Sequence, residues 1–238
     1  MDKISEGQRT SRQDVAVPGG LLDEEASGGR TGSLQSSGPL ERTPVTATNR
    51  LASWLPHLAQ RVAGDDPLKG GLDVDQPYQR GDVWTEDQRR LFIKSLLLGI
   101  PVPAIIINDR FSAKYQDPLG RVDWRHAVID GKQRTITLIR WFGGDLAVPA
   151  SWFRNEHVAG TVDTADGPYV TFSGLTDVGR RCCDHNFLIP IAEGQFSTMG
   201  DEAHIFTLVN RAGTPMSDGD LRRAVEVAAG QEGAPTGV

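Results

Sequence analysis

The most regular pattern of apolar and polar positions lies between residues 85 and 103. Thr85 and Gln88 have the spacing of a capping box, in which each side chain binds a backbone N–H of the other residue. Apolar residues at helical spacing follow as far as Gly99, and the prolines beyond it do not continue a helix. The pattern predicts an α-helix that begins after Thr85 and ends at Gly99.

A strand followed by a helix is predicted near the middle of the chain. Residues 126–130 form a short apolar run that ends in Asp130 and is followed at once by Gly131, which is typical of a buried strand and the turn after it. Residues 133–142 combine β-branched side chains with helical spacing, and the glycine pair at 143–144 favours the helix.

Other segments predict further elements of both kinds. Strand patterns occur at residues 72–75, 104–107, 161–163, 169–172 and 186–191. Residues 202–211 predict a helix whose Leu208 faces the core, together with its apolar neighbours. Helical spacing from Leu51 to Leu58 predicts a first helix that Pro56 kinks or stops. This irregular alternation predicts the α+β class.

The two ends of the chain lack such patterns. Residues 1–45 are rich in Gly, Ser, Thr and charge and contain no aromatic residue, so they cannot bury enough surface to offset the entropy of ordering. We predict a disordered arm at 1–45, one domain at 46–226 and a flexible tail at 227–238. No apolar run approaches the roughly 20 residues of a membrane span, and no signal peptide precedes the domain, which predicts a cytoplasmic protein without a membrane partner.

Composition narrows the chemistry. A net charge of -6 disfavours a surface that coats nucleic acid throughout, but it leaves room for a local basic groove. The two cysteines, Cys182 and Cys183, are adjacent, so they predict neither an ordinary disulfide nor a four-cysteine zinc site. The histidines lack metalloprotease spacing and are interpreted as structural or exposed, and neither a P-loop nor a serine nucleophile elbow is present.

Residues 130–134, with the sequence Asp-Gly-Lys-Gln-Arg, place polar side chains between the predicted strand and helix. The start of a helix attracts anions through its free N–H groups and its dipole. Lys132 and Arg134 add positive charge, and Gly131 lets a ligand approach the backbone. Gln133 can orient a water molecule, and Asp130 can hold a divalent cation. In the alternative interpretation, Arg134 pairs with Asp130 and Lys132 is solvated.

Two further segments carry side chains suited to a site. Gln79 and Arg80 lie between Tyr78 and Trp84, so this segment combines a phosphate contact with rings that can stack on a base. In the alternative interpretation both rings belong to the core. Asn210 stands near the end of a predicted helix at a position suited to a helix former, and it can line a site.

Together these segments resemble one family. The motifs are Tyr78-Gln79-Arg80 with Trp84, Leu97-Leu98-Gly99-Ile100-Pro101-Val102-Pro103, Asp130-Gly131-Lys132-Gln133-Arg134, and Phe206-Thr207-Leu208-Val209-Asn210 with Gly213-Thr214-Pro215. Over residues 48–226, their order and spacing are similar to those of the N-terminal domain of GmrSD-type modification-dependent restriction systems, a branch of the ParB/sulfiredoxin-like superfamily. The resemblance implies a ParB-like mixed sheet with packed helices.

The same resemblance implies a domain that binds and hydrolyses a nucleoside triphosphate with Mg²⁺ and couples nucleotide state to DNA. In that family the counterpart of residues 130–134 is the nucleotide-associated motif. By implication Lys132 and Arg134 hold phosphate, Gln133 positions the attacking water, and Asp130 organises the metal or that water. The predicted nucleotide-binding residues are Gln79, Arg80, Gly131, Lys132, Arg134 and Asn210, and the predicted catalytic residues are Asp130, Gln133 and Arg134.

The sequence departs from the family at three points. Lys132 replaces a glutamine, which keeps a donor and adds charge. Asp82 stands where the family has an aromatic residue, which lowers the expectation of base stacking. Family members that cut DNA carry an HNH-type nuclease domain after this region, and this sequence has none. DNA cleavage by this chain alone is therefore not expected, and a separate nuclease subunit is an expected partner.

Two other functions fit the same motifs. A DNA-binding, nuclease-associated accessory protein would place the loop on backbone phosphate without nucleotide turnover. A regulatory or anti-defence scaffold would keep a degenerate site that binds without hydrolysis. The sequence leaves both alternatives open.

Overall fold

A five-stranded mixed sheet forms the centre of the fold. The computed structural model describes residues 45–61, 71–117, 120, 123, 125–211, 219, 222, 226 and 227. The strands are β1 Val45–Leu51, β2 Leu72–Asp73, β3 Ile105–Asp109, β4 His126–Asp130, β5 Ala147–Pro149, β6 Val162–Thr164, β7 Gly167–Thr171 and β8 Leu188–Gly194. The central sheet has the order β1-β8-β3-β4-β2, and its β3–β8 and β2–β4 pairs are parallel. Strands β5, β7 and β6 form a smaller antiparallel sheet.

Helices cover both faces of the central sheet. The α-helices are α1 Trp54–Gln60, α2 Glu86–Leu97, α3 Lys132–Gly143, α4 Asp177–Asn186 and α5 Met199–Arg211. Helices and a mixed sheet in irregular succession confirm the predicted α+β class. The ParB-like character of this sheet stays a prediction.

Alternation along β4 assigns the helices to the two faces. Val128 belongs to a large apolar cluster with residues of α2, α3 and α4, including Phe92, Leu138 and Cys183. Its neighbour Ile129 belongs to a second cluster, which includes Phe206 of α5. Because successive strand side chains point to opposite faces, α2, α3 and α4 pack on one side of the sheet and α5 packs on the other.

Two predicted elements are confirmed in detail. Thr85 caps α2, its hydroxyl accepts from the Gln88 N–H, and the Gln88 side chain accepts from the Thr85 N–H. Strand β4 spans residues 126–130 as predicted, and α3 begins two residues later. The glycine pair ends α3 because Gly144 takes the left-handed conformation, with φ at 87°.

The predicted first helix is present, but it begins later than predicted and does not stop at Pro56. Leu51 belongs to β1, where it pairs with Leu188, so it is not part of the helix. Pro56 neither stops nor ends α1, which continues to Gln60. Pro56 is the third residue of the helix, and N–H groups of the first turn have no partner within a helix, so the missing donor costs nothing there.

The helical pattern of α5 also predicted the wrong side chain as buried. Leu208, expected to face the core, is 39% exposed, while α5 buries Glu202, Ala203 and Phe206. Helix α4 was not predicted, because its charged and small residues give no apolar run. Its start is nevertheless capped by the Thr176 hydroxyl, which accepts from the Gly179 N–H.

Three predictions concern the ends of the chain and the membrane. The disordered arm at 1–45 lies outside the described residues except for Val45, which begins β1, and so does the tail at 227–238 except for Val227. The domain limits of 46 and 226 stay predictions. Within the described ranges, no helix has the length and apolar character that crossing a lipid bilayer requires.

A buried ion pair joins α5 to the end of β3. The Arg110 Nε and Nη2 donate to the two carboxylate oxygens of Glu202, each at 2.8 Å, and both side chains are almost inaccessible, at 2% and 0% exposed. Arg110 also contacts Asp73 and Asp123. Burial lowers the pKa of Arg110, but the hydrogen bond and charge of Glu202 outweigh it and raise that pKa overall.

The ion pair also orders the segment before α2. Arg110 Nη2 donates to the Gln76 side chain at 2.8 Å, and the Tyr78 hydroxyl donates to Glu202 at 3.4 Å. Asn108 donates to the same carboxylate at 2.7 Å. Every charge in the group therefore has a partner, as a buried charge requires.

We expect Glu202→Ala to lower the free energy of unfolding by about 3–5 kcal/mol, because it leaves the buried Arg110 without its main counter-charge. Urea unfolding monitored by circular dichroism measures the change. The matched control is Glu156→Ala, which removes an exposed carboxylate 3.9 Å from Arg154 and should change stability by less than about 0.5 kcal/mol. Equal losses in the two variants would contradict the assigned role of the buried pair.

Candidate functional site

The loop at 130–134 turns directly from β4 into α3. Gly131 precedes the helix in the left-handed conformation, with φ at 89° and ψ at 19°. A Cβ at this position would lie 2.9 Å from Cγ1 of Ile105 and 3.0 Å from Nη2 of Arg134. Glycine is therefore required twice, by its backbone conformation and by the close packing of the Arg134 side chain.

Arg134 folds back over this glycine. Its Nη2 donates to the Asp130 carboxylate at 3.0 Å and to the Ala104 carbonyl oxygen at 3.0 Å. Its Nε is buried and has no hydrogen-bond partner in the described part of the chain. The pairing of Arg134 with Asp130, one of the two sequence interpretations, is thus present. It leaves one buried donor of the guanidinium unused.

Lys132 is not solvated, contrary to the second half of that interpretation. Its side chain is 10% exposed, and Nζ lies 2.6 Å from Oδ1 of Asp75. Asp75 itself is 84% exposed. An ion pair with one partner in water contributes little to stability, about 0–1 kcal/mol. The ammonium group is therefore held at the loop by a partner that another anion can replace at low cost.

Gln133 joins the loop to the segment before α2. Its Nε2 donates to the Gly81 carbonyl oxygen at 3.0 Å, and its Oε1 accepts from the N–H groups of Val83 and Trp84, at 3.3 and 3.2 Å. These contacts hold residues 81–84 against the first turn of α3. The predicted role of Gln133 in positioning a water stays a prediction, and one N–H of its amide remains for it.

Gln79 and Arg80 differ in their surroundings. Gln79 is buried, and its Nε2 donates to the carbonyl oxygens of Val128 and Ile129, at 2.8 and 2.7 Å. The contact attaches residues 76–80 to β4 one residue before Asp130. Arg80 is exposed at the end of this attached segment.

Both aromatic residues of that segment pack against the core. Tyr78 is fully buried and packs on Phe206, and Trp84 packs on Phe92 of α2. The interpretation of these rings as part of the core is therefore supported, and Tyr78 is not accessible to a base. Asp82, which stands where the family has an aromatic residue, forms an ion pair with Arg89.

Arg89 of α2 is a buried cation next to this segment. Its side chain is 2% exposed and donates to Thr137 and to the Trp84 carbonyl oxygen. Its partners Asp82 and Trp84 both lie in the segment that Gln133 holds. This segment is thus fixed from two sides.

Asn210 is not joined to the loop by a hydrogen bond in the described residues. Its Nδ2 donates to the Phe206 carbonyl oxygen of its own helix at 2.8 Å. The Gly-Thr-Pro part of the same motif, residues 213–215, lies outside the described residues. The predicted nucleotide contact of Asn210 stays a prediction.

Two partners of the loop were not found from the sequence. Asp75 was assigned to a strand pattern, and the Ala104 carbonyl has no side-chain signature. The only available signal for Asp75 was its charge, which lies five residues before Arg80 of the predicted phosphate-binding segment. Neither contact could be located without the pairing of β2 and β3 with β4.

The fold and the loop together define a class of protein, an α+β domain with a strand–glycine–helix loop. Strand β4, the left-handed Gly131 and helix α3 place two cationic side chains, Lys132 and Arg134, at the carboxyl end of that strand. Comparison with family models gives a match over residues 66–225 to the GmrSD restriction endonuclease, N-terminal domain. The chain belongs to this family, a family of DNA restriction, as the motifs implied. Comparisons with curated proteins and with solved structures give no match.

We expect Gly131→Ala to destabilise the domain by about 1–3 kcal/mol, because the left-handed backbone costs about 1–2 kcal/mol for an L-residue and the new methyl group displaces Arg134. Urea unfolding measures the loss. Gly160→Ala is the control, since its Cβ would meet nothing within 4 Å. A Gly131 variant as stable as the Gly160 variant would show that the tight turn is not required.

Proposed function

We propose that this domain binds a nucleoside triphosphate at the 130–134 loop and hydrolyses it, and that it acts as the nucleotide-dependent part of a DNA restriction system. The observation that carries the proposal is the state of Arg134. A guanidinium whose Nε is buried and has no partner among the described residues lies beside a left-handed glycine at the start of a helix. An anion at this point would complete its hydrogen bonding.

The electrostatics of the loop favour phosphate. The first turn of α3 contributes free N–H groups and the positive end of the helix dipole. Lys132 adds a second charge next to Arg134, and its present partner Asp75 is exposed and exchangeable. Each charge-assisted hydrogen bond to phosphate contributes about 1.5–3 kcal/mol. Two such contacts and the helix terminus suit a ligand with several phosphate groups.

The neighbouring segment supplies the rest of the binding site. Gln79 attaches residues 76–80 to the last residues of β4, and the exposed Arg80 follows Gln79 directly in the chain. We assign Arg80 to the outer phosphates or to the sugar. Asn210 bonds within its own helix, so the proposal gives it no role.

Asp130 fits the expected Mg²⁺. Its Oδ2 accepts from Arg134, and its Oδ1 makes no hydrogen bond with any described residue. Mg²⁺ in nucleotide sites is held by one or two carboxylates together with phosphate oxygens, so a single free carboxylate oxygen is sufficient. When bound, the ion would neutralise charge that develops on the phosphates. For hydrolysis we assign Gln133 to the attacking water through its remaining N–H.

The coupling of nucleotide state to DNA is also a proposal. Residues 81–84 are held by Gln133 on one side and by Arg89 on the other, so a change at the first turn of α3 reaches this segment directly. We propose that DNA, and a nuclease domain or subunit that cuts it, respond to that change. The family to which the chain belongs supports this context.

We expect isothermal titration with GTP, CTP and ATP in the presence of Mg²⁺ to detect binding of at least one nucleotide. Arg134→Ala should weaken that binding about ten- to a hundredfold. Arg140→Ala is the matched control on the same helix. Arg140 lies near the other end of α3, where it pairs with Glu86 of α2, so this variant should bind nucleotide as the wild type does. Absence of binding to the wild type, or equal affinity of the Arg134 variant, would overturn the proposal.

Salt dependence separates nucleotide from backbone phosphate as the ligand of the loop. If Arg134 contacts DNA, log K for DNA should fall with log salt, and Arg134→Ala should reduce that slope by about 0.9. We expect instead that Arg134→Ala leaves the DNA slope unchanged and affects only nucleotide binding. A reduced DNA slope, with no nucleotide bound by the wild type, would favour the accessory-protein alternative.

A further inference from the structure

A second group of ligating side chains lies at the other end of β4. Asp109 of β3 pairs in register with His126 of β4, and Glu193 lies beside them on β8. One ligand atom from each of the three residues lies within 4.8 Å of the others. His126 and Asp130 are four residues apart in the strand, or about 13 Å at 3.3 Å per residue. This group is therefore separate from the 130–134 loop.

The imidazole of His126 has no hydrogen bond to any residue that the structure describes. Its Nδ1 is buried without a partner, and its Nε2 lies 4.0 Å from Oδ1 of Asp109, which is beyond hydrogen-bond distance. A half-buried imidazole without a partner that faces two carboxylates lacks a positively charged ligand.

An internal cation already competes for part of this group. Arg50 of β1 lies 3.0 Å from Oε2 of Glu193 and stacks on Trp54, at 4.4 Å from its ring centroid. Trp54 also contacts the edge of the His126 ring, with the centroids 6.1 Å apart. Arg50 therefore holds Glu193 in place, and in the described residues its ion pair is with Glu193 alone of the three.

We propose that Asp109, His126 and Glu193 form a binding site for one divalent transition-metal ion of the Mn²⁺ or Zn²⁺ type. Ligand bonds of about 2.0–2.2 Å at tetrahedral angles place the ligand atoms of one ion about 3.3–3.6 Å apart. The separations in the group therefore need to contract by up to about 1.5 Å, which side-chain rotation can supply.

The donor set decides the class of ion. One imidazole and two carboxylates suit Mn²⁺, Fe²⁺ or Zn²⁺, whereas Mg²⁺ and Ca²⁺ prefer oxygen ligands alone. Two carboxylates also balance the charge of a divalent ion. Asp109 keeps its bond to the Ser112 N–H at 3.1 Å, which orients the carboxylate from behind as outer partners of metal ligands do.

Isothermal titration of the whole chain with Mn²⁺, and separately with Zn²⁺, tests this site with nucleotide and Mg²⁺ absent, so the outcome does not depend on the 130–134 loop. We expect one ion per chain. His126→Gln and Glu193→Gln should each weaken binding at least tenfold, because each removes one of three ligands. Circular dichroism verifies that both variants are folded.

Arg50→Met gives a change in the opposite direction. It retains an apolar side chain against Trp54 and removes the cation that competes for Glu193, so affinity for the ion should rise severalfold. The controls His185→Gln and Cys182→Ser remove an exposed histidine and a free thiol elsewhere, and should leave the affinity unchanged. No binding by the wild type, equal affinity of the ligand variants, or no gain in Arg50→Met would overturn the proposal.

Discussion

The buried pair of Arg110 and Glu202 is the interaction on which the arrangement of this domain depends. It connects α5 to the end of β3, and through Gln76 and Tyr78 it also fixes the segment that crosses from β2 toward α2. That segment carries Gln79, which is bonded to the carbonyls of β4. Because a buried charge without a partner is costly, an arrangement that separates this pair is unfavourable. The segment that Gln79 attaches beside the 130–134 loop is thus held by charges that lie outside the loop.

The loop itself is a compact set of contacts with different tasks. Gly131 makes room, Arg134 fills that room, and Gln133 holds the preceding segment by its amide. The Lys132 side chain is 10% exposed, although its carboxylate partner Asp75 is 84% exposed. A short motif therefore specifies a detailed local structure, because its residues meet different neighbours.

Local signals predicted the parts of the fold that local interactions determine. The capping box of α2, the apolar run of β4 and the glycine at the end of α3 depend on neighbours within a few residues, and all were predicted from the sequence. Contacts between distant residues were not. Glu202 and Arg110 are 92 positions apart and each resembles a surface charge. Arg89 is buried against Asp82 and Thr137, and Thr137 lies 48 positions away. The sequence motif located the loop. Asp75 and Ala104 reach the loop because β2 and β3 pair with β4.

Occupation of Lys132 by Asp75 has a consequence for selectivity. If the loop binds phosphate as proposed, each external anion competes with an internal carboxylate for the same ammonium group. Under that proposal a ligand of several linked phosphates gains further contacts at the neighbouring guanidinium and helix terminus, and a small monovalent anion gains fewer. Selectivity would then follow from the number of linked charges.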